Sequence, residues 1–401
     1  MADPDARRGR GAEAGATGRG VRRSLLVAVL VFAAVTVAGL VLLWPRHRFR
    51  PALSVGSPPP LIRATVTEAR DCRGHAAGCE TVDVHIDSGP EVGRSEVLAN
   101  VDLGPVPTLH PGDKVLLART ASPQVGQVQY SFVDFQRSLP LGILALLFAA
   151  VVVGIARWRG LAALVGLVVT WVVLVKFVIP ALLLGRSPVA VALVGAAAIM
   201  FVVVYLAHGL SDRSTTALLG TLTSLALTGL LAALFVPASH LTGLQSEEAG
   251  YLQSVVGNIS WSGLLLAGTV IGALGVLNDV TVTQASAVWE LHRANPDQGR
   301  AALSRAALRI GRDHIASTVY TLVFAYAGAS LPLLILFSLS NQGFTSVVTG
   351  EVLAEEIVRT LIGSIGLVAS VPITTALASF VVTRPSQPVA PAVPEAGTGP
   401  E

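Results

Sequence analysis

About eight stretches of this chain are long and apolar enough to cross roughly 30 Å of hydrocarbon as helices. They fall near Ser24–Trp44, Ser138–Ala156, Gly160–Leu184, Pro188–His208, Thr215–Val236, Ser260–Asn278, His314–Ser338 and Glu356–Val382. Inside a bilayer every backbone N–H and C=O needs a partner from the protein itself, so apolar runs of this length resolve as helices. Composition agrees: 401 residues, 52% hydrophobic and 13% charged, with a mean hydropathy of +0.66, exclude a soluble globule. The expected fold is an α-helical polytopic membrane protein of about eight transmembrane helices, with the lipid bilayer as its first partner.

Arginine placement orients it. Counting from a cytoplasmic start, the inner segments hold Arg7, Arg8, Arg10, Arg19, Arg22 and Arg23, then Arg157 and Arg159, then Arg213. Arg293, Arg300, Arg305, Arg309 and Arg312 follow on the next inner segment, and Arg384 on the tail. The short outer loops hold only Arg186, and 237–259 and 339–355 have no Lys or Arg. Alternation of this kind puts both termini on the cytoplasmic side, with residues 24–44 as an uncleaved signal anchor. The expected organisation is a disordered stretch 1–23, the anchor, an extracytoplasmic segment 45–137, a seven-helix membrane domain 138–383 and a disordered tail 384–401. Residues 280–313 are expected to form a cytoplasmic amphipathic segment, broken at Asn295-Pro296, with a second helix over Asp297–Ile310 that suits anionic headgroups.

The outer segment alternates with period two in LIRATVTEA, TVDVHID, SEVLANV and VQYSFVDF, and PGDKVLLA is a tight turn feeding a strand. Five or so short strands in this length suggest a small β-barrel-like domain of oligonucleotide-binding (OB) type. Cys72 and Cys79 share one of its loops and are disulfide candidates outside the membrane. With His75 they supply only three metal ligands, without CxxC spacing. The segment lacks a basic groove with interleaved aromatics and faces the wrong compartment, so nucleic acid is not an expected partner.

Polar residues concentrate at the inner ends of the later spans. Asn278 and Asp279 interrupt the sixth span, Thr283 and Gln284 follow, and Asp313 and His314 open the seventh. His208 and Asp212 sit at the fourth and fifth. Polar groups at membrane depth are costly unless paired, which makes these eight residues candidates for a transport or relay site. Asp279 and His314 have the chemistry of a proton or cation relay. His208, Asp212, Asp279 and His314 also have the ligand types of a metal site, though no spacing requires one. The plainer reading makes Asp212 the cap of the fifth helix and Asp313 a first-turn residue favoured by the helix dipole. Gly263, Gly268, Gly272, Gly275, Gly363 and Gly366 allow close helix approach. GVLNDVTVT in the sixth span echoes GLVASVPIT in the eighth. Glu355 is placed one turn before Arg359, within reach of it.

GVLNDVTVTQASAVWEL, GRDHIASTVYTLVFAYAGASLPLL and EIVRTLIGSIGLVASVPITT strongly resemble the YibE/F family of bacterial polytopic membrane proteins. VDFQRS, RGLAALVGL and YLAHGLSDRSTTALLGT extend the resemblance over roughly residues 130–380. It implies a bacterial cytoplasmic membrane location and a YibE-type arrangement with an extracytoplasmic β domain. Many members carry Asp-Asp where this chain has Asn278-Asp279. The family implies a permease-like role without naming a reaction. Walker, dinucleotide, HExxH, GxSxG and paired-cysteine motifs are lacking, so neither an enzyme nor a cofactor is expected. The expected function is a permease-like transporter of a small solute or ion. The alternative is a non-transporting scaffold or accessory acting through its β domain. A second copy of the chain or another membrane protein is a candidate partner.

Overall fold

The structure is a computed structural model that describes residues 4–47, 59–71, 79–102, 109–121, 128–244, 247–256, 259–339 and 343–383. Cys72 lies outside the described residues, and the Cys79 side chain with it, so the disulfide candidate is not placed. Helices are α1 (Pro4–Leu43), α2 (Ser138–Val173), α3 (Ile179–Leu183), α4 (Pro188–His208), α5 (Asp212–Ala238) and α6 (Glu247–Val256). They continue with α7 (Trp261–Ala294), α8 (Arg300–Ala329), α9 (Leu331–Leu339), α10 (Phe344–Thr349) and α11 (Glu351–Val382). Strands are β1 (Leu61–Asp71), β2 (Cys79–Ile86), β3 (Ser95–Asp102), β4 (Lys114–Ala121) and β5 (Val128–Phe135). The chain divides into two compact units, Ser54–Arg157 and the remainder.

The first unit holds a curled five-stranded antiparallel sheet of order β3-β2-β1-β4-β5, whose outermost strands β3 and β5 approach each other. Period-two alternation sends Ile62, Ala64, Val66, Val82, Val84, Ile86, Val115 and Leu117 into one aliphatic core. The turn into β4 closes as its sequence requires: the Asp113 carboxylate accepts from the His110 amide at 2.8 Å, and Gly112 takes φ +96. Charges stay on the rim. Arg119 holds Glu91 in a two-pronged pair, Nη2 to Oε1 at 2.7 Å and Nε to Oε2 at 3.0 Å. That guanidinium keeps the Glu91 carboxyl below its ordinary range, and Arg137 does the same to Asp134. Burial pushes the Tyr130 phenol up.

Among the described residues six helices are long and apolar enough to cross a membrane, or seven if α8 and α9, bent by 65°, form one span. Pro332 explains that bend, since it has no N–H to continue the α8 ladder. The first half of α2 belongs to the β-containing unit and the second half to the helical one. Between them Arg157 takes φ 52, ψ −129, a backbone state helices do not use. A π-turn over Leu174–Val178 links α2 to α3. The core is a three-helix centre of α5, α7 and α11, to which α4 and α8 add.

Within residues 280–313 helix α7 ends at Ala294 and the chain breaks at the expected Asn295-Pro296. α8 then runs without interruption from Arg300 to Ala329, joining the helix expected over Asp297–Ile310 to the apolar run that follows. Its first turns are anchored: Leu303 and Ala307 are fully buried against Val288 and Ala378. Arg300 lies over the Phe380 ring at 4.7 Å and donates from Nε to Thr383 Oγ1 at 3.1 Å.

Candidate functional site

Buried polar residues line the contacts among α5, α7 and α11. On α5, Thr221, Ser224 and Thr228 recur along one face, matched by Ser370, Thr374, Thr375 and Ser379 on α11. Most satisfy themselves: Ser224 donates to Gly220 O at 2.8 Å, Thr228 to Ser224 O at 2.9 Å and Thr375 to Val371 O at 2.7 Å. What the small residues add is proximity. Gly366 faces the Thr228 side chain so closely that any Cβ there would strike its hydroxyl.

Two hydrogen-bonded ties cross between helices at one level. Thr221 and Thr281 share a hydroxyl bond of 2.6 Å between α5 and α7. Gln284 is 3% exposed and donates from Nε2 to Ala307 O on α8 at 3.0 Å and to Thr375 Oγ1 on α11 at 2.7 Å. Gly311 makes room for it: a Cβ there would lie 2.9 Å from Gln284 Oε1 and 2.5 Å from Val371 Cγ1. Gln284 is thus the residue of the expected set that the fold uses to lock helices together. The GVLNDVTVT and GLVASVPIT segments lie in parallel helices, and Gln284 and Thr375, each one residue past its segment, bond to one another.

The remaining candidates separate into two levels. Asp212 lies nine residues before Thr221 on α5, about 14 Å below the tie at 1.5 Å per residue, and His208 lies near it. Asp279 lies two residues before Thr281 on the antiparallel α7, so it stands about 3 Å to the other side. Asp313 and His314 follow Gly311 within one turn on α8, also on that side. The set expected at one inner mouth is therefore spread over roughly 17 Å of depth. Among the described residues no group of three or more His, Cys, Asp and Glu is placed to hold a metal ion.

Local roles differ from expectation too. Ser211, not Asp212, caps α5, accepting from the Ser214 amide at 3.1 Å. Asp313 sits mid-helix in α8, and Asp279 is fifteen residues from the end of α7, so neither feels a helix terminus. Asp279 and Thr283 are exposed, on the same face of α7 as Gly268, Gly272 and Gly275. Asn278 and His314 are half-buried, and Asn278 Oδ1 and His314 Nε2 are buried without a hydrogen-bond partner. At the far end of α11, Arg359 pairs with Glu356 at 2.5 Å rather than with Glu355, whose Oε1 is buried without a partner.

The α5–α7–α11 face of Thr221, Ser224, Thr228, Thr374 and Ser379 was missed by sequence reasoning. Its signal was present: hydroxyl and small residues spaced three and four apart within apolar helices.

A multi-span helical membrane protein with polar groups buried between its helices, and with carboxylates such as Asp279 and Asp313 on exposed helix faces, is the class these features define. The chain belongs to a family within it: the model of the YibE/F-like protein family matches residues 144–384, more than half of the chain. Comparisons with curated proteins and with solved structures gave no match.

Proposed function

We propose that this YibE/F-like protein is a permease-like transporter of a small solute or ion, with Asp279 on its pathway. The observation that carries this reading is the Asp279 carboxylate, exposed in a membrane helix and flanked on its face by Gly275 and Thr283. A charge at that depth is not tolerated against lipid and calls for a water-filled path or a partner. His314 and Asn278, with polar atoms buried and unpaired one helix turn or so from the same level, are the neighbouring relay groups. Gln284 serves as the strut that holds α7, α8 and α11 around them, and His208 and Asp212 form a separate inner pair.

The topology proposed with it has eight spans. The six long helices, the bent α8–α9 pair and a division of α2 at Arg157 supply that number. Both termini then face the cytoplasm of a bacterial cell and the β domain lies outside. Its strand order, with β1 between β2 and β4 and with β3 approaching β5, supports an OB-type barrel. Catalysis is not part of this proposal. The scaffold alternative draws on Val92 and Val97, 60% and 61% exposed on the β domain.

Proton and cation flux in proteoliposomes, comparing wild type with Asp279→Asn, tests the reading. Flux in wild type that falls at least tenfold in Asp279→Asn, with abundance unchanged, is the expected outcome. Equal flux in both removes Asp279 from the pathway, and full function of a flux-free protein in cells favours the scaffold.

A further inference from the structure

Two helices at the centre of the bundle carry one pattern in opposite directions. α5 reads GTLTSLALT from Gly220 to Thr228, and α11 reads GLVASVPIT from Gly366 to Thr374. At the same offset Arg213 matches Arg359, and Leu231-Ala232 matches Leu377-Ala378. GVLNDVTVT on α7 shares the spacing but has Gly268 and Ser286 in place of the flanking arginine and leucine. Its Gly275, Asp279 and Thr283 stand open, whereas the copies on α5 and α11 are mated.

A Cβ on Gly220 would strike Thr374 Oγ1, and a Cβ on Gly366 would strike Thr228 Oγ1. The first position of each pattern thus meets the last of the other, which makes the pair antiparallel about a pseudo-two-fold axis. That register sets Ser224 opposite Ser370 at the centre, both fully buried. α4 packs on α5, α8 packs on α11, and α7 touches all four. Two arms of opposite direction therefore share α7 as a wall, the plan of an inverted repeat.

Sequence and packing are symmetric; the hydrogen bonds are not. Both ties to α7 lie on one side of the centre, where Thr221 bonds Thr281 and Thr375 bonds Gln284. Their counterparts in the opposite arm are Leu367 and Gly229, which offer no polar side chain. The buried Thr374 hydroxyl has no partner, whereas its counterpart Thr228 donates to Ser224 O at 2.9 Å. Ser224 and Ser370 likewise donate within their own helices, to Gly220 O and Leu367 O. The hydroxyls at this contact thus make no bond between α5 and α11, and close approach holds it. Such a contact survives rocking, while directional bonds at one side do not.

We propose that the α5–α11 contact is the pivot of an inverted repeat, and that the ties to α7 hold one of its two states. In the second state the Thr221–Thr281 and Gln284–Thr375 bonds part, the Asp212 end of the bundle opens and the Val236 end closes. Because Leu367 and Gly229 cannot make the mirror ties, that second state is the less populated. The proposal rests on the transport reading, for which two such states give access from either side in turn.

Pulsed electron paramagnetic resonance on the full-length protein in nanodiscs tests it, with Cys72→Ser and Cys79→Ser as background and spin labels at one pair per end. Leu210→Cys with Val381→Cys reports the Asp212 end, and Phe235→Cys with Leu361→Cys reports the Val236 end. Removing the ties by Thr281→Val with Gln284→Leu is expected to populate a second distance at both ends, longer at the first and shorter at the second. Its population should rise roughly threefold or more, the scale of an interhelical hydrogen bond lost in a membrane. A longer distance at the Asp212 end with the Val236 end unchanged overturns the proposal, because that is loosening without a pivot. Unchanged distances at both ends overturn it as well. Should the double variant not fold, Thr281→Val alone carries the same comparison. Distances are read rather than flux, so the result stands apart from the Asp279 test.

Discussion

In the β domain the core is aliphatic and the charged groups ring its edge; in the centre of α5, α7 and α11 hydroxyls and a carboxamide run through the packed interior. The difference follows from the solvent each expects. Water rewards the removal of apolar surface, so Val66, Val84 and Leu117 supply the driving force of the sheet. Lipid is as apolar as leucine and gives no such reward, so helices are held by close approach and by polar ties such as Thr221–Thr281 and Gln284–Thr375.

The largest expected effect tests the aliphatic side of that contrast. Leu117 is fully buried in the sheet core, and Leu117→Ala should cost about 2–5 kcal/mol. Hydrogen exchange on the full-length protein should show lost protection in β1, β4 and β5 with α7 unchanged. Protection retained in β4 would mean the sheet does not depend on burial as described. Next comes close approach: Gly366→Val should destabilise the helical unit by about 1–3 kcal/mol, because α5 and α11 must part to admit the side chain. A thermal melt of the purified protein reads this, and an unchanged midpoint would break the close-packing half of the comparison.

A smaller effect separates polar ties from plain packing. Gln284→Leu should cost about 0.6–1.7 kcal/mol, the range of interhelical hydrogen bonds in membranes. Adding Thr375→Val should change little further, because the hydroxyl left behind in Gln284→Leu still donates to Val371 O. The smallest effect is acid sensitivity of the β domain. Glu91 and Asp134 ionise more readily folded than unfolded, because Arg119 and Arg137 stand beside them. The stability they lend is complete above the ordinary carboxylate range and is lost as pH falls through their lowered folded values. Exchange rates in β4 and β5 should rise across that acid window, and Glu91→Gln should flatten the change.

Legibility in the sequence divides along the same line. The five strands and the turn at His110–Asp113 were readable because one-sided burial writes a period of two into the chain. Family membership was readable from long, specific segments on the later spans. The site was less so. Asp279 and Gln284 look alike as polar intrusions into a hydrophobic run. Only the rotation between them, which turns Gln284 to α8 and α11 and leaves Asp279 open, tells strut from exposed charge. Depth was hidden for a similar reason: His208 and Asp279 both end apolar runs, but α7 continues well past the level at which α4 stops. Arg305, Arg309 and Arg312 lie on the exposed face of α8, and the burial of Leu303 and Ala307 on its other face was the part the arginines concealed.

The Gln284 tie also bears on how the chain is assembled during synthesis. Hydroxyls such as those of Ser224 and Thr228 bond carbonyls of their own helix, so α5 enters the bilayer with its polar groups already satisfied. Gln284 cannot do this. Its partner on α8 is 23 residues away, and its partner on α11 is 91 residues away. At about 5–20 residues per second, Thr375 leaves the ribosome roughly 5–20 s after Gln284. For that interval the Gln284 carboxamide has only Ala307 of α8 to satisfy it, and arrival of the last span is the event that closes the bundle.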